Sequence, residues 1–451
     1  MAFRRRDNQA GDNEGHHSDG STATNNSTGD LETRMKDLEK AVVHRRPQAR
    51  RRISDVAPEG TDREITLKER LRHFTWAWFT LTMSTGGFAT LLSVQPHKFT
   101  GLLTIGTIVY IFDLVLFVIL CAAITARFIM YPGSFHKSLK HPTEALFFPT
   151  FWLSLPTIIG GMNNYGVGNV GGWLIVTLRV LFWIYFACTL LVAIFQYWYL
   201  FASKTLLVKS MAPSWILPIF PVMLTGTLAN IIASNQPPEQ RLPIIVAGVA
   251  SQGLGWTVAV MIYAVMIVRL FEYGLPPPNA RPGMFICVGP AGFTILALIG
   301  MSNALPEGYG NFAKNPTAIP ALQAMALFVS IFIWMIGLWW FALATISVLY
   351  GIKQMSFSLV NWALVFPNVG FTIAGINIGQ QLESQGILWV GSIMSILVFA
   401  IWLFNLYAHA RAVLTKRMMM PGQDEEMRER FEKMVVDQCY GLEVPILANV
   451  D

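Results

Sequence analysis

The stretch Leu102–Met130, LLTIGTIVYIFDLVLFVILCAAITARFIM, decides the fold because it is almost entirely apolar and far longer than a β-strand. A helix needs about 20 apolar residues to cross a hydrocarbon core of about 30 Å. Lipid cannot satisfy exposed backbone groups, so such a stretch spans as a helix. Ten apolar stretches succeed one another, at residues 74–94, 102–130, 145–161, 172–201, 215–233, 244–268, 285–301, 318–350, 359–379 and 387–414. The sequence therefore predicts an all-α polytopic membrane protein with ten transmembrane helices.

The composition separates a membrane domain from two polar ends. Hydrophobic residues make up 53% of the chain and charged residues 13%, against about 25% charged residues in soluble proteins. Residues 1–66 form a basic arm rich in Asn, Ser, Gly and Arg, which we expect to be disordered and cytosolic. Residues 67–415 form the ten-helix transporter domain, and residues 416–451 form a cytosolic C-terminal tail.

The arm contains Arg50-Arg51-Arg52-Ile53-Ser54, the Arg-Arg-x-Ser pattern that basophilic kinases favour. Two interpretations stay open. Either Ser54 is a regulatory phosphorylation site, or the arginines hold a juxtamembrane arm near anionic lipid, at about 1 kcal/mol per basic residue.

The distribution of Lys and Arg predicts the orientation. On the side of the N-terminus the connections and span ends carry eight of them, Arg127, Lys137, Lys140, Lys204, Lys209, Arg269, Arg281 and Lys353. The opposite side carries three, Lys98, Arg241 and Lys314. Cytoplasmic loops are enriched in positive charge. We therefore expect both termini to be cytosolic, and the net charge of +6 reflects this bias rather than nucleic-acid binding.

Glycine and proline interrupt the odd-numbered stretches but leave the even-numbered ones without an interior proline. The interruptions are Gly86 and Gly87; Pro156, Gly160 and Gly161; Pro221 and Gly226; Pro290 and Gly292; Pro367 and Gly370. A broken helix leaves backbone groups that lipid cannot satisfy, so it belongs beside protein or a water-filled cavity. We expect five helical hairpins around a central pore, with the odd helices inside and the even ones outside. The alternative is that these residues only help membrane helices to pack.

The clearest charged side chains within the spans are Asp113 and Arg179, both on even helices. We expect them to pair with each other or with a neighbouring subunit rather than to bind substrate. The odd helices then hold an anion through backbone N–H groups at helix N-termini and through side-chain donors. The candidate donors are Thr85, Asn163, Asn164, Thr225, Asn230, Ser302, Asn303, Asn368, Thr372 and Asn377.

Signatures of enzymes do not occur in this sequence. It has no phosphate-binding glycine loop, no metal-ligand spacing among its eight histidines and no nucleophile elbow. We therefore expect no catalytic activity, no metal and no cofactor. A receptor is a second possible class, but the predicted outer loops are too short to offer much surface to a protein ligand.

Two segments resemble a known family. Residues 72–79, RHFTWAWF, with Met83-Ser84-Thr85-Gly86-Gly87, are similar to the opening of the fungal malic-acid transporters. Residues 361–372, NWALVFPNVGFT, resemble the ninth helix of the same tellurite-resistance/dicarboxylate transporter family. That family also contains plant slow-type anion channels and fungal sulfite efflux pumps, and the sulfite branch usually has a Gly-Thr-Gly context where this chain has two adjacent glycines.

The resemblance implies ten helices in five hairpins, a homotrimer with one pore per subunit, and a plasma-membrane location. It implies transport of four-carbon dicarboxylates, malate above all, with sulfite or inorganic-anion efflux as the alternative. In the channel relatives a phenylalanine just before the ninth-helix proline closes the pore, and Phe366 occupies that position here. The alternative is that Phe366 is one of thirty phenylalanines that fill a core.

Overall fold

The computed structural model describes residues 66–203 and 207–419, and over these two ranges the chain forms helices and no β-strand. Eight helical segments in these ranges are long and apolar enough to cross a membrane. The protein is thus a multi-pass helical membrane protein. The expectations for the N-terminal arm, for Ser54 and for the tail beyond residue 419 lie outside the described residues.

Ten helices of at least 13 residues run through the described ranges. They are α1 (Phe79–Ser93), α2 (Leu102–Met130), α3 (Pro149–Gly161), α4 (Trp173–Ser203), α5 (Phe220–Ala233), α6 (Pro238–Tyr273), α7 (Gly289–Asn303), α8 (Ala318–Gly351), α9 (Phe366–Gln381) and α10 (Gln385–Leu414). Their order follows the ten apolar stretches. The five odd helices, with 15, 13, 14, 15 and 16 residues in chain order, are each too short to span a membrane as α-helix alone.

Burial divides these helices into two groups. In the most apolar part of α2, α4, α6, α8 and α10 only 28% of the residues are buried. In the segments that contain α3, α7 and α9 the buried share is 67%, 89% and 83%. Large apolar side chains such as Phe271 and Phe328 are exposed on the even helices, as lipid contact requires. The odd helices therefore form the interior of the protein.

A 3₁₀ segment or short helix leads into each odd helix. These lead-in segments are Trp76–Trp78, Pro142–Phe147, Pro213–Ile216, Pro278–Val288 and Leu359–Leu364. The α-helix then starts at the proline: Pro221, Pro290 and Pro367 lie in the first turn of α5, α7 and α9. The expected mid-helix breaks at these prolines were wrong, because proline in the first turn removes no intrahelical hydrogen bond.

Two further prolines, Pro156 and Pro243, depart from this pattern. Pro156 does lie inside its helix, and α3 ends at Gly161 in a π-helical turn, Met162–Gly166. The expectation that even helices lack an interior proline was wrong for Pro243, because α6 begins already at Pro238 and is longer than the apolar stretch.

The glycines of the odd helices are sites of close packing. A Cβ added at Gly292 would lie 2.6 Å from the backbone nitrogen of Phe371, and one at Gly370 would lie 2.9 Å from the ring of Phe293. α7 and α9 therefore touch along their backbones. Likewise, a Cβ added at Gly226 of α5 would lie 2.9 Å from the carbonyl oxygen of Gly248 in α6. Small residues permit such contacts in membrane bundles.

Candidate functional site

A small apolar cavity lies where the lead-in segments meet the odd helices. It has a volume of about 20 Å³, close to the space of one water. Its lining includes side chains from all five odd segments, among them Met83, Leu153, Leu217, Ile286, Ala363 and Phe366. Thr80 and Thr150 also line it, but their hydroxyls already donate to the carbonyls of Ala77 and Trp76 at 2.6 and 2.7 Å. We call this the entrance cavity.

Three phenylalanines form an aromatic block beside the entrance cavity. The ring centroids of Phe366 and Phe293 are 4.9 Å apart, those of Phe366 and Phe220 are 6.4 Å apart, and those of Phe220 and Phe293 are 5.9 Å apart. Phe366 is 2% exposed. Its ring also reaches α1, since a Cβ added at Gly87 would lie 3.1 Å from Cδ2 of Phe366. The block thus packs side chains of α5, α7 and α9 together and against α1.

A polar cavity of about 280 Å³ lies at the opposite, C-terminal ends of α5, α7 and α9. Its polar lining residues are Asn230, Ser234, Asn303, Asn377, Gln380 and Gln381, which we call the amide cluster. Three of these, Asn230, Asn303 and Asn377, were among the candidate donors. Ser234, Gln380 and Gln381 were missed, although Asn and Gln recur at the end of the fifth, seventh and ninth stretches and could have indicated them.

The chemistry of the amide cluster differs from the expected backbone site. Helix C-termini present carbonyl oxygens and the negative end of the dipole, so they do not attract anions. An anion in this cavity would have to take its hydrogen bonds from side-chain amides, and each Asn or Gln offers two N–H groups. The helix N-termini that were expected to hold an anion lie instead at the aromatic block, where Phe220 and Phe366 are the first residues of α5 and α9.

Five other candidate donors bond elsewhere. Thr85 accepts a hydrogen bond from Nε1 of Trp402 in α10 at 3.2 Å, and the Thr225 hydroxyl lies 3.4 Å from that of Thr189 in α4. Both therefore face outer helices. The side chains of Ser302, Asn368 and Thr372 donate to backbone carbonyls of their own segments at 2.7 to 2.9 Å. These side chains act as helix packing groups.

Asn163 and Asn164 tie the π-helical turn to its neighbours. Asn163 donates to the carbonyl of Ile231 at 3.1 Å and accepts from Nδ2 of Asn235 at 2.9 Å. Asn164 donates to the Ser93 hydroxyl at 3.1 Å. Their amides hold the end of α3 against α1 and α5, and the structure does not bring them into the amide cluster.

The expected pairing of Asp113 with Arg179 was wrong within this chain. Asp113 is completely buried, and neither of its carboxyl oxygens has a hydrogen-bond partner. It faces Gly86 of α1 and Thr157 of α3, whereas Arg179 is only half-buried on α4. Asp113 of α2 lies against the inner helices and Arg179 of α4 does not meet it there. The apolar pattern of the two helices does not predict which neighbours a single charged side chain contacts. A buried ion pair does form between Arg127 and Glu144.

Together, the long lipid-exposed helices and the buried helices with their two cavities define a polytopic helical membrane protein. The chain belongs to the voltage-dependent anion channel family, whose model matches residues 73–410. This match confirms the resemblance inferred from the first and ninth stretches and extends over nearly all of the described residues.

The chain is also similar to individual members of known transporter groups. The chain is 35% identical to a malic acid transport protein of Schizosaccharomyces pombe, over 80% of this chain and 83% of that protein. It is 26% identical to a sulfite efflux pump of Trichophyton rubrum, over 74% of this chain and 88% of the pump. A transporter of Methanocaldococcus jannaschii matches at 24% identity over 75% of this chain and 95% of that protein. All three relatives are named as transport proteins.

Proposed function

We propose that this protein transports four-carbon dicarboxylates, malate above all, across the plasma membrane. The observation that carries the proposal is the 35% identity with a malic acid transport protein over most of both chains. The lower identity of 26% with a sulfite efflux pump favours the sulfite or inorganic-anion alternative less. Succinate and fumarate share the two carboxylates and belong to the same substrate class.

The transport path runs along the odd helices. In this proposal the ten helices form five hairpins around a central pore, with the even helices as an outer ring. The contrast between 28% burial in the even helices and 67 to 89% in the odd segments supports it. The entrance cavity, the aromatic block and the amide cluster then succeed one another along the path.

Recognition of the anion takes place in the amide cluster. Neutral amides can donate to a carboxylate without the strong attraction of a fixed cation, so the anion binds and leaves again. Conduction requires binding of this moderate strength. The carboxylates of malate lie at opposite ends of a short chain, and the amides of α5, α7 and α9 approach the cavity from different helices.

Phe366 is the gate of this path. Its ring fills the space between α1, α5 and α7 at the first residue of α9, where a rotation of the side chain would open the space beside the entrance cavity. A hydrophobic constriction of this kind blocks ions by excluding water. The exposed apolar faces of the even helices contact lipid and the neighbouring subunits of a homotrimer, and both termini lie in the cytosol.

Uptake into proteoliposomes tests the substrate. We expect purified protein to move labelled malate and succinate faster than protein-free liposomes do, with unlabelled malate competing. Sulfite and nitrate, measured in parallel, should move more slowly. Transport of sulfite or nitrate without malate would replace this proposal by the inorganic-anion alternative.

A further inference from the structure

Asp113 is a buried carboxyl that the proposed path does not use. Its exposure is 0%, and neither Oδ1 nor Oδ2 has a hydrogen-bond partner. A carboxylate without donors in apolar surroundings is far less stable than the neutral acid. The packing seen here therefore suits the protonated side chain, and ionised Asp113 would require a different arrangement of its neighbours.

The neighbours of Asp113 connect it with the gate. A Cβ added at Gly86 would lie 2.5 Å from Oδ2 of Asp113 and 2.5 Å from the hydroxyl oxygen of Thr157. The next residue is Gly87, where an added Cβ would lie 3.1 Å from the ring of Phe366. Two consecutive glycines of α1, about 100° apart around the helix, thus face the carboxyl and the gate ring, and neither has a side chain that would separate α1 from them.

Few other titratable groups face Asp113. Neither α1 nor α3 contains an acidic, basic, Cys or Tyr residue. On α2 itself Tyr110 is one turn away and donates to the carbonyl of Ile158 at 3.1 Å, and its ring stacks on that of Tyr165.

The remaining groups of α2 are more distant. Cys121 lies two turns along the helix, and Arg127, paired with Glu144, lies about 21 Å along it at 1.5 Å per residue. The short helices Leu67–Leu71 and Ser134–Lys140, which carry Lys68, Glu69, Arg70, His136, Lys137 and Lys140, pack at that same end of α2.

We propose that Asp113 is a positioning residue that makes the opening of the Phe366 gate depend on pH, an inference that rests on the proposed gate. As the neutral acid, Asp113 permits α1 to pack closely at Gly86, and the gate stays closed. When its proton passes to water, the carboxylate needs donors. The Thr157 hydroxyl, which now donates to the carbonyl of Ser154 at 2.8 Å, turns toward it, and water enters. α1 shifts away, Gly87 releases the ring of Phe366, and conduction rises with pH.

Electrical recording of malate currents at several pH values, at matched surface expression, tests this inference. A single titrating group changes the ratio of open to closed protein by up to about tenfold per pH unit. We expect the wild-type current to rise with pH and the current of Asp113→Asn, which stays neutral and keeps the shape, to remain small and independent of pH. Tyr110→Phe is the matched control, because it removes the neighbouring titratable group and should keep the wild-type profile.

Phe366→Ala separates this inference from the proposed gate. If the gate is correct, this variant conducts more than the wild type, and if pH acts through the gate, its current no longer depends on pH. This comparison does not require Asp113→Asn to fold. A pH-independent wild type, a pH-dependent Asp113→Asn, or a Phe366→Ala channel that conducts more but keeps the wild-type profile would each overturn the inference. Failure of Phe366→Ala to raise the current would overturn the gate itself.

Discussion

The two ends of α5, α7 and α9 have opposite chemistry. At their N-terminal ends Phe220, Phe293 and Phe366 form a closed aromatic block, whereas at their C-terminal ends Asn, Gln and Ser side chains surround a cavity of about 280 Å³. The same three helices thus have a packed apolar end and an uncharged polar end, which the proposed function makes the barrier and the binding surface. The difference suggests that one end controls the rate of transport and the other the choice of anion.

The largest expected effect concerns the barrier. Phe366→Ala should raise anion current by about tenfold or more, since every 1.36 kcal/mol removed from a barrier increases the rate about tenfold. Phe88→Ala is the matched control, because Phe88 is equally buried but stacks on Phe399 and Trp402. It should cost about 3 to 5 kcal/mol of stability without increasing the current. Electrical recording at matched surface expression distinguishes them, and a well-folded Phe366→Ala with unchanged current would contradict the barrier.

The second largest effect is expected at the close contact between α7 and α9. Gly292→Ala should lower the yield of folded protein, because its Cβ would collide with the backbone of Phe371 and overpacking costs about 1 to 3 kcal/mol. Gly253→Ala in α6 is the control, since an added Cβ there meets nothing within 4 Å. Thermal unfolding of detergent-solubilised protein measures both. Equal melting temperatures would show that α7 and α9 can separate at no cost.

The binding end should respond more weakly. Asn377→Ala and Gln380→Ala each remove amide donors, and a hydrogen bond contributes about 0.5 to 1.5 kcal/mol. The half-saturating malate concentration should therefore rise by about two- to twelvefold, with little change in maximal rate. Gln385→Ala, an exposed residue outside the cluster, is the control. A lower maximal rate at unchanged half-saturation would assign these residues to the barrier instead.

The smallest effect on transport is expected from the N-terminal arm, which lies outside the described residues. Deleting the residues before Thr61 should leave malate uptake per molecule at the membrane largely intact, because the proposed barrier and the proposed binding surface both lie on the odd helices. Uptake normalised to surface protein measures this. A deletion variant that reaches the membrane without activity would show that the arm is part of the transport machinery.

The apolar pattern predicted the helices well but not the direction of individual side chains. Leu102–Met130 was predicted to the residue, because its polar flanks mark both ends. The starts of α5, α7 and α9 could not be predicted, since a 3₁₀ segment that continues as α-helix is one uninterrupted apolar run. Thr85, on the inner helix α1, was misjudged for a different reason. The rotation of a buried helix about its axis depends on its neighbours, and an inner helix that is apolar on every side carries no signal for it.

The 3₁₀ lead-in segments have a greater length per residue than the α-helices that follow them. α7, with 15 residues, rises about 22 Å, and the 11 residues of Pro278–Val288 add about another 22 Å at 2.0 Å per residue. Each residue that changes from 3₁₀ to α geometry shortens its segment by about 0.5 Å and turns the adjoining helix by about 20°. A change from 3₁₀ to α geometry in Leu359–Leu364 would therefore rotate and shift the start of α9 together, and with it the ring of Phe366.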